Sequence, residues 1–220
     1  MHRYQFLILH VIFFTIANIA SANSPDESNL ANYDSAPLIA DDIRPLMVGQ
    51  SIPNVNLITP DSTAFNLNFA CAKQPTILTF YRGGCCPYCN RHLEALQAIE
   101  PDLLKLGYQI IAISPDRPEV MREHADEKGF HYLLLSDSDM TAAKAFGLAF
   151  RVDEATLTKY TTKLNIDIEA DSGYDHHLLP VPAVFIVGKD GIIKYSYVNP
   201  NYKIRIEPDV LLKAAEDAAE

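Results

Sequence analysis

Thr76-Ile77-Leu78-Thr79-Phe80-Tyr81-Arg82-Gly83-Gly84-Cys85-Cys86-Pro87-Tyr88-Cys89-Asn90 is the stretch on which the reading of this chain turns. Its first five residues are apolar or β-branched, the pattern of a short buried strand. Two glycines then permit a sharp change of direction. Leu93, Leu96, Ile99, Leu103 and Leu106 follow with helical spacing. A C-x-x-C pair therefore stands where a strand ends and a helix begins. The free N–H groups and positive end of such a helix favour a thiolate, and Pro87 suits a first helical position that needs no N–H. That placement predicts redox chemistry at Cys86 and Cys89.

Outward from this stretch, composition sets bounds. The 220 residues, 48% of them hydrophobic, suffice for one domain with additional chain. Met1-His2-Arg3, the apolar run over 6–20 and Ala20-Ser21-Ala22 have the form of a signal peptide over 1–22, giving a mature chain from Asn23. The apolar run falls short of the roughly 20 residues that a spanning helix needs, so no stable membrane insertion is expected after cleavage. An exported protein, periplasmic or secreted, follows from this reading. Formal net charge is −10, and loss of Arg3 with the leader makes it −11. Such an acidic balance argues against a nucleic acid or an anionic membrane surface as partner.

Residues 23–47 open with Asn, Ser, Asp and Pro and read as a flexible lead-in. The folded domain is expected over 48–220. Ile52, Val55 and Leu57, then Phe65, Leu67 and Phe69, predict two short extended segments around a turn at Thr59-Pro60-Asp61-Ser62. Residues 71–75 read as a connection into the central strand. Beyond the C-x-x-C helix, with a bend at Pro101, residues 109–114 read as a second buried strand. A helix over 118–128 ended by Gly129, a strand over 132–135 and a short helix capped by Ser138-Asp139 and stopped at Gly147 follow. Residues 148–179 show no clean period. A strong hairpin over 183–198, turning at Gly188-Lys189-Asp190-Gly191, and a helix from Pro208 complete the chain. This succession predicts an α/β fold: a thioredoxin-like sandwich, its central mixed sheet flanked by helices.

Phe80-Tyr81-Arg82-Gly83-Gly84 with Cys86-Pro87-Tyr88-Cys89-Asn90 resembles the peroxiredoxin-like branch of the alkyl hydroperoxide reductase/thiol-specific antioxidant family. Ile113-Ser114-Pro115-Asp116, then Leu135-Ser136-Asp137-Ser138-Asp139 with Phe146-Gly147, then residues 179–186 add to the resemblance, which runs from about residue 49 to the C-terminus. In the peroxiredoxin register, P-x-x-x-T-x-x-C, Cys89 would attack peroxide, with Cys86 standing in the Thr place and Arg82 in the Pro place. In the thioredoxin register Cys86 attacks and Cys89 resolves. The helix start favours Cys86, and Cys89, one turn in, suits a resolving thiol. The expectation is an exported thiol–disulfide oxidoreductase with an antioxidant role and a redox-active Cys86–Cys89 disulfide. The alternatives are a thiol-dependent peroxidase with Cys89 as the attacking cysteine, and a Cu(I)- or Zn-binding carrier using His176 and His177 with the C-x-x-C pair.

The partner expected is a protein or low-molecular-weight thiol or disulfide, with peroxide as a further substrate; no cofactor or metal is expected for the main reading. Arg82, and less strongly Arg205, are candidate cations for the thiolate. His92 is expected on the helix surface. Cys71 and Cys85 flank the central strand and are candidates for a second disulfide or for free thiols. The resemblance further implies a cis bond at Val181-Pro182, with Pro180 as the other candidate, packed against the cysteines. A free backbone beside it could then pair with an incoming peptide.

Overall fold

The apolar run at the centre of the sequence is buried at every position in the computed structural model, which describes residues 36–219. It forms β3 (Thr76–Phe80). Its neighbours are β4 (Gln109–Ser114), parallel to it, and β8 (Ala183–Val187), antiparallel. β5 (Leu133–Ser136) continues the parallel set, β1 (Asn56–Ile58) and β2 (Ala64–Asn66) extend one edge, and β9 (Ile193–Val198) closes the other. The order of this seven-stranded mixed sheet is β2-β1-β5-β4-β3-β8-β9. The expected α/β sandwich is thus present, and its central strands read as continuous apolar runs because both faces are covered.

Alternate residues of β3 and β8 feed two cores. Leu78, Phe80, Phe185 and Val187 pack with Leu57 and Phe146 on one face. Ile77, Tyr81, Val184 and Ile186 pack on the other against α2 (Pro87–Lys105) and α7 (Pro208–Ala219), which contribute Leu93, Leu96, Leu103 and Leu211. α2 continues through Pro101 to Lys105. α3 (Pro118–Lys128) ends on Gly129 in the left-handed region, as its sequence predicts. Among the described residues no helix is long and apolar enough to cross a membrane.

Several local expectations need correction. Residues 67–69 do not extend the second strand but open α1 (Leu67–Lys73), because the Asn66 side chain accepts from the Phe69 N–H at 2.8 Å and caps a helix. The carboxylate that caps α4 (Thr141–Ala145) is chiefly Asp137, accepting from Ala142 at 2.8 Å and Ala143 at 2.7 Å; Asp139 takes the Thr141 N–H. The aperiodic stretch 148–179 resolves into short pieces. β6 (Ala149–Arg151) pairs with β7 (Leu178–Pro180), and between them lie α5 (Glu154–Lys159), a π-helical turn Tyr160–Leu164 and α6 (Ile168–Ser172). They share a small apolar cluster of Val152, Ile168 and Leu179, separate from the two main cores.

The signal peptide expected over 1–22 and the first part of the lead-in lie outside the described residues. Residues 36–47 do not match a lead-in without a core. Ile43 is buried against the sheet, the Leu46 N–H donates to Phe146 O at 3.1 Å, and the Pro37 carbonyl accepts from Arg151 at 2.8 Å. Apolar Ile43 and Leu46 supply enough burial to hold the chain there despite its polar start. The seating also depends on Gly147, at φ +69°, where any Cβ would run into the Arg44 carbonyl.

This last contact gives a test. Gly147→Ala should destabilise the fold by about 1–3 kcal/mol in urea unfolding, combining left-handed strain with the displaced backbone. Gly129→Ala carries the same strain (φ +65°) with open space around its Cβ, and should cost measurably less. Equal losses would show that the 36–47 segment contributes nothing to the fold.

Candidate active site

The carboxyl ends of the three parallel strands β3, β4 and β5 point to one end of the sheet, the end at which open α/β sheets place their ligand crevices. From β3 the chain passes through Arg82, Gly83 and Gly84 into α2. Gly83 has φ +113°, and a Cβ there would lie 2.5 Å from Asp116 Oδ1, so the turn requires glycine. Asp116, just beyond β4, is buried beneath it. Its Oδ2 accepts from the Gly84 N–H at 2.8 Å and the Ser114 hydroxyl at 3.0 Å. Burial pushes its carboxyl up to about 6 against these two bonds. From above, Asn90 Nδ2 donates to Gly84 O at 2.8 Å. The turn is clamped on both sides.

Cys86 is the N-cap of α2, and its carbonyl accepts from the N–H groups of Cys89 (3.0 Å) and Asn90 (3.1 Å). It is 6% exposed, whereas Cys89 is completely buried. The Cys86 thiol is pulled down to about 6. The largest cause is a hydrogen bond from the Cys89 thiol; burial opposes it, and the Cys89 N–H and the charges of Arg82 and Arg205 assist. Cys89 is driven the other way, by burial first and then by donating to its partner. Arg205 Nη2 also donates to Cys89 Sγ at 3.2 Å. Because Cys89 has no access to water, the resting anion belongs to Cys86 and the proton to Cys89.

A cleft of about 400 Å³ opens over Cys86, lined among others by Arg82, Tyr160, Leu164, Ile168 and Tyr202. Arg82 is only 8% exposed. Its Nη2 donates to the Tyr160 hydroxyl, and its guanidinium carbon lies 4.1 Å from the Tyr202 ring centroid. Burial works against its charge, but Tyr160 and the two sulfurs outweigh that effect and hold it cationic. Cys85 faces the cleft from the side and lines a second, polar depression with His124, Thr161 and Asp171. Burial and the nearby carboxylates of Asp116 and Asp171 push its thiol strongly up, so Cys85 stays protonated.

The structure brings together Arg82, Cys86 and Cys89, three of the candidates named from the sequence, and with them Arg205, which sequence alone rated nearer to a surface residue. Other expectations are corrected. Val181-Pro182 is trans, as is Pro180. The Val181 N–H already donates to Leu148 O at 2.9 Å, so the chain passes from β7 to β8 without a tight turn and offers no free donor there. Pro182 is not among the cleft residues. His92 is buried rather than exposed, at 6%, with neither ring nitrogen bonded. Burial and the Arg205 charge lower it to about 4, which leaves it neutral.

Among the described residues no three His, Cys, Asp or Glu side chains converge as metal ligands. His176 instead uses both ring nitrogens on the backbone of Ser138 and Leu178, at 2.9 and 3.0 Å, and His177 faces Glu169. The carrier reading loses its ligands. All four cysteines are free; Cys71 is fully buried in the core on the opposite face of the sheet from Cys86 and Cys89. Asp116, Tyr160 and Tyr202 are missed by sequence reasoning. Asp116 carries a signal, as the polar residue closing Ile113-Ser114-Pro115-Asp116; Tyr160 stands 78 residues from Arg82 in an aperiodic stretch and carries none.

Comparison with known proteins agrees with this geometry. Residues 48–196 match the model of the AhpC/TSA family. A putative peroxiredoxin bcp of Haemophilus influenzae is 28% identical over 106 residues, covering 48% of this chain and 68% of the relative. Peroxiredoxin Bcp of Escherichia coli is also 28% identical, with 67% of its length covered. Reduced Prx3 of Vibrio vulnificus shares the fold, with a TM-score of 0.64 at 18% identity over 78% of this chain and 99% of that one. A C-x-x-C thiolate at the start of α2, on this fold and with these relatives, places the chain in the AhpC/TSA family as a peroxiredoxin-like, thiol-dependent oxidoreductase.

Proposed function

We propose that the protein reduces hydroperoxides, with Cys86 as the attacking sulfur and Cys89 as the resolving one. The observation that carries this is the contrast within the pair. Cys86 opens to the cleft beside Arg82, while Cys89 is fully buried one helical turn behind it. The curated relatives named peroxiredoxins support peroxide over protein disulfides as the oxidant. The bonded N–H of Val181 points the same way, because it removes the backbone donor that a docked peptide would use.

In the first step the Cys86 thiolate attacks the outer oxygen of ROOH. The S–O bond forms, the O–O bond breaks, and the alkoxide takes a proton from solvent to leave as ROH. Arg82 stands where negative charge passes from sulfur to oxygen. In the second step Cys89 loses its proton and attacks the sulfur of the Cys86 sulfenic acid. The S–S bond forms and hydroxide leaves as water after protonation. Arg205, 3.2 Å from Cys89 Sγ, favours the anion needed for that attack. Two equivalents of an external thiol, or one dithiol, then reduce the disulfide by exchange. The exchange chemistry expected from the sequence thus becomes the regenerating half of the cycle. The Arg205 contact also favours a second reading, in which Cys89 attacks peroxide directly.

Trapping separates the two. With hydrogen peroxide and dimedone, Cys89→Ser should accumulate an adduct on Cys86, and Cys86→Ser should neither be labelled nor consume peroxide. An adduct on Cys89, with peroxide still consumed, would transfer the attack to that residue.

The pH dependence has a definite sign. A thiol lowered to about 6 is ionised above that pH, so iodoacetamide labelling of Cys86 should rise through a midpoint near 6 and be level by about pH 8. An ordinary cysteine would still be gaining reactivity there. Export belongs to the same proposal, and intact mass of protein from its native compartment should begin at Asn23. Retention of Met1 would remove it.

A further inference from the structure

Arg82 is held in an unusual way for a buried cation. A guanidinium offers five N–H donors and commonly finds a carboxylate. Among the described residues no carboxylate comes within salt-bridge distance of Arg82, and its Nε has no partner. It is fixed instead by two aromatic residues from different parts of the chain. Tyr160, at the start of the π-helical turn, accepts from Nη2 through its hydroxyl. Tyr202, between β9 and α7, lies face-on to the guanidinium at 4.1 Å and is itself braced edge-to-face by Tyr88 of α2, with centroids 5.6 Å apart.

We propose that Tyr160 and Tyr202 are positioning residues, a neutral bracket that holds the Arg82 guanidinium at Cys86 without cancelling its charge. The physical reason is a difference between neutral and anionic partners. A carboxylate would locate the guanidinium equally well, but its own charge would offset the field at the sulfur. A phenol oxygen and a ring face restrict the long, flexible side chain and leave the charge intact. Cys86 is faced by Arg82 from the β3–α2 turn, by Arg205 from the segment before α7, by Cys89 from α2 and by Cys85 beside it, with Lys203 at the cleft rim. Arg82 is held by Tyr160 of the 154–172 segment, and Cys85 meets Asp171 of the same segment. Seating of that segment and readiness of the nucleophile are therefore linked, for Arg82 through the Tyr160 hydroxyl. The inference rests on Cys86 being the attacking sulfur.

The two arms of the bracket act through different atoms, which makes the test specific. The readout is the pH midpoint of iodoacetamide labelling at Cys86, resolved from Cys85 by tandem mass mapping; it needs no peroxide. Tyr160→Phe removes the hydroxyl and should raise the midpoint by about 0.5–1 pH unit, slowing labelling at pH 6 by about two- to six-fold. Tyr202→Leu should do the same, and Tyr202→Phe, which keeps the ring face, should restore the lower midpoint. In an Arg82→Gln background, Tyr160→Phe should add nothing further. An undiminished Tyr160→Phe shift without Arg82, or equal shifts for Tyr202→Phe and Tyr202→Leu, would overturn the bracket. Expected shifts in a protein that consumes no peroxide would support the bracket and remove the peroxidase reading alone.

Discussion

A buried carboxylate beneath a glycine turn organises this molecule. Asp116 accepts from Gly84 and from Ser114, and so joins the end of β4 to the loop that leaves β3. The bond fixes where α2 starts, and the start of α2 fixes which sulfur meets the cleft. Without it the Gly83-Gly84 pair would leave the loop directly before Cys86 with no fixed course. Burying a carboxylate is costly, and its raised pKa records that cost. The charge-assisted bond to Gly84 offsets part of it and gives the loop a defined geometry.

Division of labour between the two cysteines follows from the same geometry. The C-x-x-C spacing puts both sulfurs on the first turn of one helix, near enough to share a proton. Which one holds it depends on solvent. Cys86 borders the cleft, and Cys89 is sealed behind it among Tyr81, Leu93 and Val184. Both arginines favour the Cys86 anion; Arg82 stands in the cleft wall, and Arg205 also donates to Cys89 Sγ. In the proposed cycle these cations meet two successive demands, an anion at the outer sulfur and then one at the inner.

Much of this was legible in the sequence, and for identifiable reasons. β3, the turn and α2 could be read because an all-apolar strand, two glycines, a proline at the first helical position and leucines at helical spacing agree with one another. The hairpin of β8 and β9 was equally plain. α1 was hidden because Phe65, Leu67 and Phe69 mimic strand alternation, and only the Asn66 side chain reveals a helix. Residues 148–179 could not be read because their pieces are three to six residues long, too short for any period to appear. At the site, spacing alone allowed either cysteine to attack. Burial separates them, and burial is a property of the folded chain. Tyr160 and Tyr202 reach Arg82, and Arg205 reaches Cys89, only through tertiary packing; Arg205 is the weaker of two cations named from the sequence, and no local pattern announces the tyrosines.

The helix cap made by Cys86 has a consequence for the other half of a redox cycle. Every interaction that stabilises the thiolate, from the helix start to the arginines, stabilises the dithiol form and has no counterpart once the sulfurs are joined. With the thiol near 6, ionisation at pH 7 favours the reduced state. In the proposed cycle a Cys86–Cys89 disulfide is correspondingly easy to open. A protein that primes its nucleophile in this way also lowers the thermodynamic demand on whatever thiol restores it, so even a mild reductant can keep the pair in service.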